Sequence, residues 1–556
     1  MLPLDNLSPD EENAFFAGGV HEDILTNLSK IRDLRVISRT STRDYDESNR
    51  KKSSEIAAEL NVRYLVEGSV RRAGNQVRVT VQLIDGPRDE HMWAENYDRS
   101  LDDIFAIQSE IAKAIAAQIH AAISPDELAK IENIPTNNQA AYDFYLKALE
   151  GKYSTAAFFW TKELLAQTTE YAEEAVRLDP QFALGHSYLA YLYSIRHWFH
   201  GEDYPDTLEK ARLSLGKAEA IDSTLADLHL YRGYYYYWGF LNYAQAAEEF
   251  ALALSIQPNL AEAFFALGLV QRRQGRQKEA LENQLRGIEL DPRSPQLLST
   301  LMSSYTYFRR YSEAAVVAEK LYQLDPLVPR FQRTKKETRF YLTGDVSDFL
   351  SFREEYQESF DSLDNFLHEY FNPYFEAMHR GEFRKALNLI ESVEPDSEIP
   401  SFYRNAALAR VLWLLGERER AHVAAQQAIN DSASMDLTIE KSLASSLNVL
   451  RDLSWLAEMY AINGDREKAT EYRETIRQST VGSRREYLGR DRIEAELLPS
   501  YLALSETEKA LEILDELLSR PGDIHAQEIR IDPWWRSFHG DPRFELILAK
   551  AAPVEK

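Results

Sequence analysis

The sequence contains no cysteine, and this absence removes several kinds of chemistry at once. A chain without thiols cannot form disulfides, bind a metal through thiolates or use a cysteine nucleophile. It also has no apolar run approaching the roughly 18 residues that a membrane-spanning helix needs. No basic and then apolar signal peptide follows Met1. As written, the sequence therefore predicts a soluble polypeptide.

Positive charge is scarce as well. The 64 Lys and Arg residues face 89 Asp and Glu residues, which gives a net charge of −25. Nucleic-acid binding depends on a basic surface that neutralises phosphates. The charge balance therefore argues against nucleic acid as a partner, and the acidic excess mainly favours solubility. Hydrophobic residues still make up 44% of the chain, which is enough for a large core.

The motifs of common catalytic and cofactor sites are missing too. The chain has no phosphate-binding glycine loop, no G-x-S-x-G nucleophile elbow and no H-E-x-x-H zinc helix. His197 and His200 are three residues apart in a predicted insertion between repeats, and two ligands without a third make a weak metal site. We expect no catalytic, cofactor-binding or metal-binding residue. The chain is then not an enzyme unless a catalytic head precedes it.

What the sequence does contain is a repeat. The similar tripeptides LDP, IDS, IQP, LDP and LDP begin at residues 178, 221, 256, 290 and 324. A period of about 34 residues is typical of stacked helical hairpins. In the stretch 261–292, apolar residues at helical spacing precede a Gly275 turn, a second such helix follows it, and Pro292 ends the unit.

This unit resembles the tetratricopeptide repeat. The resemblance rests on small residues at Gly268 and Ala280 and on the closing Pro292. Gly233, Tyr236, Ala246, Phe250, Ala253 and Pro258 are interpreted as the same pattern. Farther on, a glycine precedes an alanine by five residues at 381/386, 416/421 and 464/469, and Ser505 replaces the glycine before Ala510. These signals predict about eight to eleven hairpins over residues 140–550.

A run of aromatic residues, GYYYYWGF at 233–240, lies in the first helix of one hairpin. The resemblance places Tyr236 in the core and Tyr235 against the neighbouring hairpin. It places Tyr234, Tyr237 and Trp238 on the groove of the array. Either these side chains only pack between repeats or the exposed ones bind a peptide, because interfaces favour Tyr and Arg. The candidate groove residues are Tyr191, Tyr234, Tyr237, Trp238, Phe265, Arg272 and Arg273.

The first part of the chain is predicted to form an α/β domain. We predict helices at 13–31, 52–60 and 101–123, and the first has Phe16, Val20, Ile24, Leu25 and Leu28 on one face. A short strand is predicted at 34–38 and a third strand at 91–98. Between them, 62–85 alternates apolar and polar residues around the turn AGN, which predicts a β-hairpin.

The sequence of this part resembles the TolB-like amino-terminal domain of bacterial signalling proteins. The matching stretches include VRYLVEGSVRR, VRVTVQLID and WAENYDRSLDDIFAIQSEIA, and the resemblance covers nearly all of residues 2–115. It implies an α/β fold followed by tetratricopeptide repeats. In the family, a membrane helix and a cytoplasmic effector usually come first. The first strand of the family is expected to be truncated in this chain, since few residues precede the Pro9 loop.

The predicted fold class is an α/β amino-terminal domain with a small mixed sheet, followed by an all-α tetratricopeptide-repeat solenoid. Its parts are a TolB-like domain at 1–125, a linker at 126–139, repeats at 140–335 and more divergent helical repeats at 336–550. The predicted function is a non-enzymatic protein-interaction and signal-sensing module that binds partner peptides through the repeat groove.

The alternative is the regulatory portion of a nucleotide cyclase, a protein kinase or a winged-helix transcriptional regulator whose head is missing. The resemblance implies the periplasmic side of the inner membrane, with the cytoplasm as the alternative and any membrane attachment through an upstream segment.

Overall fold

The structure is a computed structural model that describes residues 1–8, 14–46, 51–153, 160–200, 205–347, 373–393, 400–437, 443–480 and 490–551. The chain divides into two units, Met1–Leu298 and Ser299–Lys556. The first unit contains a four-stranded mixed sheet, and packed helices make up the rest of both units. The predicted fold class is therefore confirmed, while the residue limits of the predicted domains stay predictions. Within the described ranges, no helix is long and apolar enough to cross a membrane.

The sheet lies at the amino-terminal end of the first unit, with strand order β1-β2-β3-β4. Strand β1 (Asp5–Asn6) runs parallel to β2 (Tyr64–Ala73), and β3 (Gln76–Asp85) and β4 (Glu90–Ser100) add antiparallel neighbours. The predicted hairpin is confirmed, because Ala73 pairs with Gln76 across a turn in which Gly74 has φ +60°. The alternate residues Val77, Val79, Val81 and Leu83 are all buried, as their spacing predicts.

Helices lie between and after the strands of this sheet. The helices are α1 (Ala14–Ser29), α2 (Arg39–Thr42), α3 (Ser53–Glu59), α4 (Ile104–Gln118) and α5 (Pro125–Ile131). Helix α1 contacts β2 and helix α4 contacts β3 and β4, and the two helices also contact each other. The apolar face predicted for α1 is confirmed, since Phe16, Val20 and Ile24 have no exposed surface.

Two local predictions in this domain are wrong. Residues 34–38 form no strand; instead, the Ser38 N–H donates a hydrogen bond to the carbonyl of Leu290, 2.9 Å away. Only Ile37 of this run is buried, in a cluster with Tyr45 and Ile56 of the same domain, and the run is not paired in the sheet. The last long helix is also shorter than predicted, because Leu101–Asp103 form a 3₁₀ turn and α4 ends at Gln118.

Helices of the first unit continue in pairs after a short linker. They are α6 (Gln139–Tyr153), α7 (Lys162–Leu178), α8 (Ala183–His200), α9 (Thr207–Ile221), α10 (Ala226–Phe240), α11 (Tyr243–Ile256), α12 (Ala261–Arg273) and α13 (Gln277–Leu290). Each consecutive pair packs together, and α8 also packs on α10. His197 and His200 lie in the last turn of α8, so their predicted place in an insertion between hairpins is wrong.

The second unit is helical wherever it is described. Its helices include Pro295–Tyr307, which begins before the boundary, Tyr311–Leu324, Pro329–Thr343, Phe383–Glu391, Ser401–Leu414, Arg418–Asp431, Leu443–Ile462, Arg466–Thr480, Arg490–Ala503, Thr507–Leu518, Ala526–Ile531 and Pro542–Lys550. Residues 373–380 are helical too. The helical stretch predicted at 339–366 is confirmed to Thr343, and its residues 348–366 lie outside the described residues.

Small residues let paired helices approach closely, as the repeat pattern predicts. A methyl group added at Gly268 would lie 2.7 Å from Gln284 Cγ and 2.9 Å from the carbonyl oxygen of Ala280. One added at Gly233 would lie 2.4 Å from the Phe250 ring. Real side chains do not tolerate such separations, so these glycines are required by helix contact.

The turns inside the hairpins share one backbone conformation. In seven of them, the residue five positions before a buried alanine has positive φ, between +53° and +83°. These turn residues are Leu241, Gly275, Arg309, Gly381, Gly416, Gly464 and Ser505. The glycine signal in the sequence is therefore confirmed as a left-handed turn, and Ser505 does substitute for glycine. Leu241 and Arg309 occupy the same position without any glycine to mark it.

We predict opposite effects of Gly268→Ala and Gly216→Ala, although both glycines lie in helices. Gly268→Ala should lower the free energy of unfolding by about 1–3 kcal/mol, because the new methyl group meets backbone. Nothing lies within 4 Å of the Cβ position of Gly216, so Gly216→Ala should raise it by about 0.5–1 kcal/mol. Urea unfolding monitored by circular dichroism measures both. Equal effects would contradict the close helix approach at Gly268.

A second pair of substitutions tests the turn conformation. Ser505 has φ +60° and Gly464 has φ +83°, with nothing within 4 Å of a Cβ placed at Gly464. Ser505→Gly should stabilise the second unit by about 1 kcal/mol, because glycine adopts this region without steric cost. Gly464→Ser should destabilise it by a similar amount. If thermal melts show the same sign for both, the turns do not share this conformation.

Candidate functional site

The amino-terminal domain of the first unit is attached to the repeats through the turns that end each repeat. Four successive turn residues each form a hydrogen bond with this domain or with the linker that follows it. Thr136 Oγ1 donates to Asp179 Oδ2 at 2.5 Å, and Asn133 Nδ2 donates to Asp222 Oδ2 at 3.3 Å. Gln257 Nε2 donates to Ser29 Oγ at 2.6 Å, and Ser41 Oγ donates to Asp291. These are the second residues of the tripeptides LDP, IDS, IQP and LDP.

Hydrophobic packing joins the same two parts. One buried cluster runs from Met1 in the sheet domain to Val270 in α12. Tyr142 of α6 has no exposed surface, and its hydroxyl donates to the carboxylate of Asp23 in α1. Its ring meets Phe105 of α4 edge to face, with ring centres 4.7 Å apart. The domain and the first repeats therefore fold around a shared core.

The aromatic residues proposed as a peptide groove lie inside this core. Tyr191, Tyr234, Tyr237 and Phe265 are buried, with Tyr234 only 2% exposed. Trp238, Arg272 and Arg273 are half-buried. These tyrosines are therefore buried rather than exposed on an open groove, and a peptide site at these residues stays a prediction. Tyr191 and Trp238 both pack on Tyr234, with ring centres 5.5 and 4.2 Å from it, so aromatic rings from α8 and α10 fill the space between the helices.

The register of α10 accounts for the burial of Tyr237. The prediction aligned Gly233 with Gly268, which made Tyr236 the core aromatic. Gly268 precedes the buried Ala280 by 12 residues, and counting 12 residues back from the buried Ala246 reaches Tyr234 instead. Relative to the predicted alignment, α10 is thus displaced by one residue. Tyr237 takes the core position, whereas Tyr236 is half-buried. Tyr235 is buried, as predicted.

A half-buried lysine that sequence reasoning missed completes this cluster. Lys152 of α6 forms an ion pair with Glu262 of α12 at 2.7 Å. Its ammonium also lies 5.3 Å from the ring centre of Tyr191 and 5.4 Å from that of Tyr231. Tyrosine faces attract cations, so the rings and the carboxylate together stabilise the charge. The sequence offers no signal for this, because Lys152 and Glu262 are 110 residues apart.

The second unit contains a cavity of about 280 Å³ on the first helices of its hairpins. Three arginines line it: Arg410 from helix Ser401–Leu414, Arg451 from helix Leu443–Ile462 and Arg492 from helix Arg490–Ala503. Trp455 also lines it, and the guanidinium of Arg410 stacks over its ring at 4.4 Å. Arg410 forms two hydrogen bonds with the buried Glu458, at 2.8 and 2.6 Å.

The carboxyl-terminal segment 524–535 forms the opposite wall of this cavity. Arg492 donates to Glu528 at 3.2 Å, and the side chain of Arg492 is still 48% exposed. Burial raises the pKa of Asp532 to about 6, although the N–H of Trp534 and the charge of Arg410 oppose the shift. Burial also raises the pKa of Glu496. The cavity lining thus combines carboxyl groups with arginine and tryptophan, the two residue types that interfaces favour.

A third feature is a cavity of about 420 Å³ in the first unit, between the sheet domain and the ends of α8, α10 and α11. Polar and charged side chains from both sides line it, including Asp23, Lys30 and Asp227. Within the described parts of the chain, no three His, Asp or Glu side chains come together as a metal site would require. The expectation of a chain without a metal or a catalytic residue stays a prediction.

Comparison with known proteins gives one partial relative. No known protein family matches the chain. Over 229 residues it is 36% identical to a protein of Rhizobium meliloti (strain 1021) named "Putative adenylate cyclase 3". The match covers 40% of this chain, and the chain spans only 37% of the length of that protein.

Solved structures of helical-repeat proteins are similar to parts of the chain. The type IV pilus biogenesis factor PilW is 17% identical, and the match covers 41% of this chain and 97% of PilW with a TM-score of 0.33. A tetratricopeptide repeat protein of Parabacteroides merdae ATCC 43184 is 14% identical, with coverages of 50% and 99% and a TM-score of 0.33. The tetratricopeptide domain of P58(IPK) is 14% identical, with coverages of 73% and 97% and a TM-score of 0.18.

The burial of Tyr234 gives a test of its role. Tyr234→Ala should lower the free energy of unfolding by about 3–5 kcal/mol, because it empties a packed aromatic core. Phe240 lies in the same helix and is 54% exposed, so Phe240→Ala should cost less than about 1 kcal/mol. Denaturant unfolding of both variants measures the difference. A Tyr234→Ala variant as stable as the wild type would restore the exposed-groove interpretation.

Proposed function

We propose that this chain is a non-enzymatic protein-interaction and signal-sensing module, with a TolB-like domain fixed to tetratricopeptide repeats. The observation that carries the proposal is the arginine and tryptophan wall formed by consecutive first helices of the second unit. Arg451 and Trp455 line this cavity and are half-buried, so a ligand can contact them. The shared core of the first unit supports the sensing part, because a change in the sheet domain would reach the repeats directly.

The partner is an extended peptide that carries an acidic side chain beside an apolar one. Arg451 and Arg492 supply planar, bidentate donors for a carboxylate, and Trp455 supplies an apolar face next to them. The ion pair between Arg410 and Glu458 fixes the position of Arg410 at the base of the wall. Peptide binding then displaces water from the cavity and leaves the Arg410 pair intact.

This proposal is tested with random peptides displayed on phage and selected on the intact chain. We predict that Arg451→Gln weakens the selected peptide at least tenfold, because a buried charged hydrogen bond is lost. Arg418→Gln is the matched control, since Arg418 stacks on Trp413 outside the cavity lining. Trp455→Ala and Trp413→Ala form a second pair, and thermal melts verify folding of all four. Failure to select any peptide, or equal affinity of both arginine variants, contradicts the proposal.

A second candidate is the regulatory portion of a nucleotide cyclase. The partial match to a protein named as an adenylate cyclase favours it over a kinase or a winged-helix regulator. Under this proposal the chain has no activity of its own, and the effector is encoded upstream of Met1. Reading the DNA upstream of the Met1 codon tests the second point. Turnover of ATP or GTP by the purified chain, abolished by one substitution in a cavity, would overturn the first.

A further inference from the structure

The cavity of the first unit is built from parts that are far apart in sequence. The last two turns of α1 and the first turns of α4 form one side, α5 and the linker form the second, and the ends of α8, α10 and α11 form the third. Its volume of about 420 Å³ lies in the range of small-molecule sites. The cavity is separate from the peptide wall of the second unit, so either proposal can fail without the other.

One part of this cavity carries carboxylates. Asp227 lies in the first turn of α10 and lines the cavity, and within the described residues no other side chain donates a hydrogen bond to it. Asp23 lies on α1 and accepts a hydrogen bond from Tyr142. Burial raises the pKa of Asp23 to about 7 and also raises that of Asp227. Asp227 is half-buried, so its carboxylate can accept hydrogen bonds from a ligand ammonium in the cavity.

Another part of the cavity carries donors for an anion. Lys30 Nζ donates to Asn27 Oδ1 at 2.8 Å and to the carbonyl of Lys130 at 2.9 Å. An ammonium has three N–H groups, so one remains for a ligand. Lys130 also lines the cavity, and its Nζ donates to the carbonyl of Ile256 at 3.3 Å. The first turn of α10 adds the positive end of a 15-residue helix.

We propose that this cavity binds a small zwitterion of the amino-acid class, which carries both an ammonium and a carboxylate. A purely cationic ligand would meet Lys30 and Lys130, and a purely anionic one would meet Asp23 and Asp227. Only a ligand with both charges satisfies both parts. Its ammonium lies at Asp227, and its carboxylate lies at Lys30. Because the lining comes from the sheet domain and from the repeats, the bound ligand contacts both.

The test uses the intact chain and the proteinogenic amino acids, each added singly to a thermal unfolding assay. We expect at least one to raise the melting temperature in a saturable way, with the dissociation constant then measured by calorimetry. Asp227→Asn should weaken that amino acid at least tenfold, since an ion-paired hydrogen bond is lost. The matched control is Asp126→Asn, because Asp126 is an exposed residue of α5 outside the cavity lining.

Blocked ligands decide the question even if a variant does not fold. The acetylated form of the same amino acid lacks the ammonium, and its amide lacks the carboxylate. Both should bind the wild-type chain at least tenfold more weakly. The proposal is overturned if no amino acid gives a saturable shift. It is also overturned if either blocked form binds as well as the free amino acid, or if a folded Asp227→Asn variant binds it unchanged.

Discussion

The hydrogen bonds at the repeat-ending turns are the interaction on which the arrangement of the first unit depends. At Asp179 and Asp222, one carboxylate oxygen accepts from a backbone N–H two residues later, at 2.9 Å in both cases. The other oxygen accepts from Thr136 or Asn133. Each aspartate therefore closes its own turn and also binds the linker that follows the amino-terminal domain. Asp325, in the second unit, forms the same local bond with the N–H of Leu327 at 3.0 Å.

This attachment explains why the aromatic residues of α8 and α10 are core residues. A repeat array with an open groove leaves the first helices of its hairpins accessible. In the first unit, the buried cluster extends from those helices into α1 and α4 of the sheet domain. Tyr142 and Asp23 lie where the two parts meet. The aromatic side chains of α8 and α10 thus pack in the core of the first unit, and a cavity lined by polar groups lies between the sheet domain and the repeats.

Local patterns were readable in the sequence. The alternation of Val77, Val79, Val81 and Leu83 identified a strand, and glycines five residues before an alanine identified left-handed turns. Both signals report short-range geometry that the backbone imposes on any chain. Leu241 gave no such signal, because a leucine is not typical of a left-handed turn. The predicted alignment of α10 with the other repeats was therefore displaced by one residue. Anchoring the repeat on Ala246 rather than on Gly233 would have placed Tyr237 in the core.

Contacts between distant segments were not readable. The run LRVIS at 34–38 has the composition of a strand, yet it pairs with no strand, and the Ser38 N–H donates to Leu290. Composition reports that a segment is buried, but it does not report against what. The same limit applies to both cavities. Arg410 and Glu458 are 48 residues apart, and Asp23 of α1 and Asp227 of α10 line one cavity although they are far apart in the sequence. The polar residues of a site assembled in this way become visible only when the long-range hydrogen bonds are known.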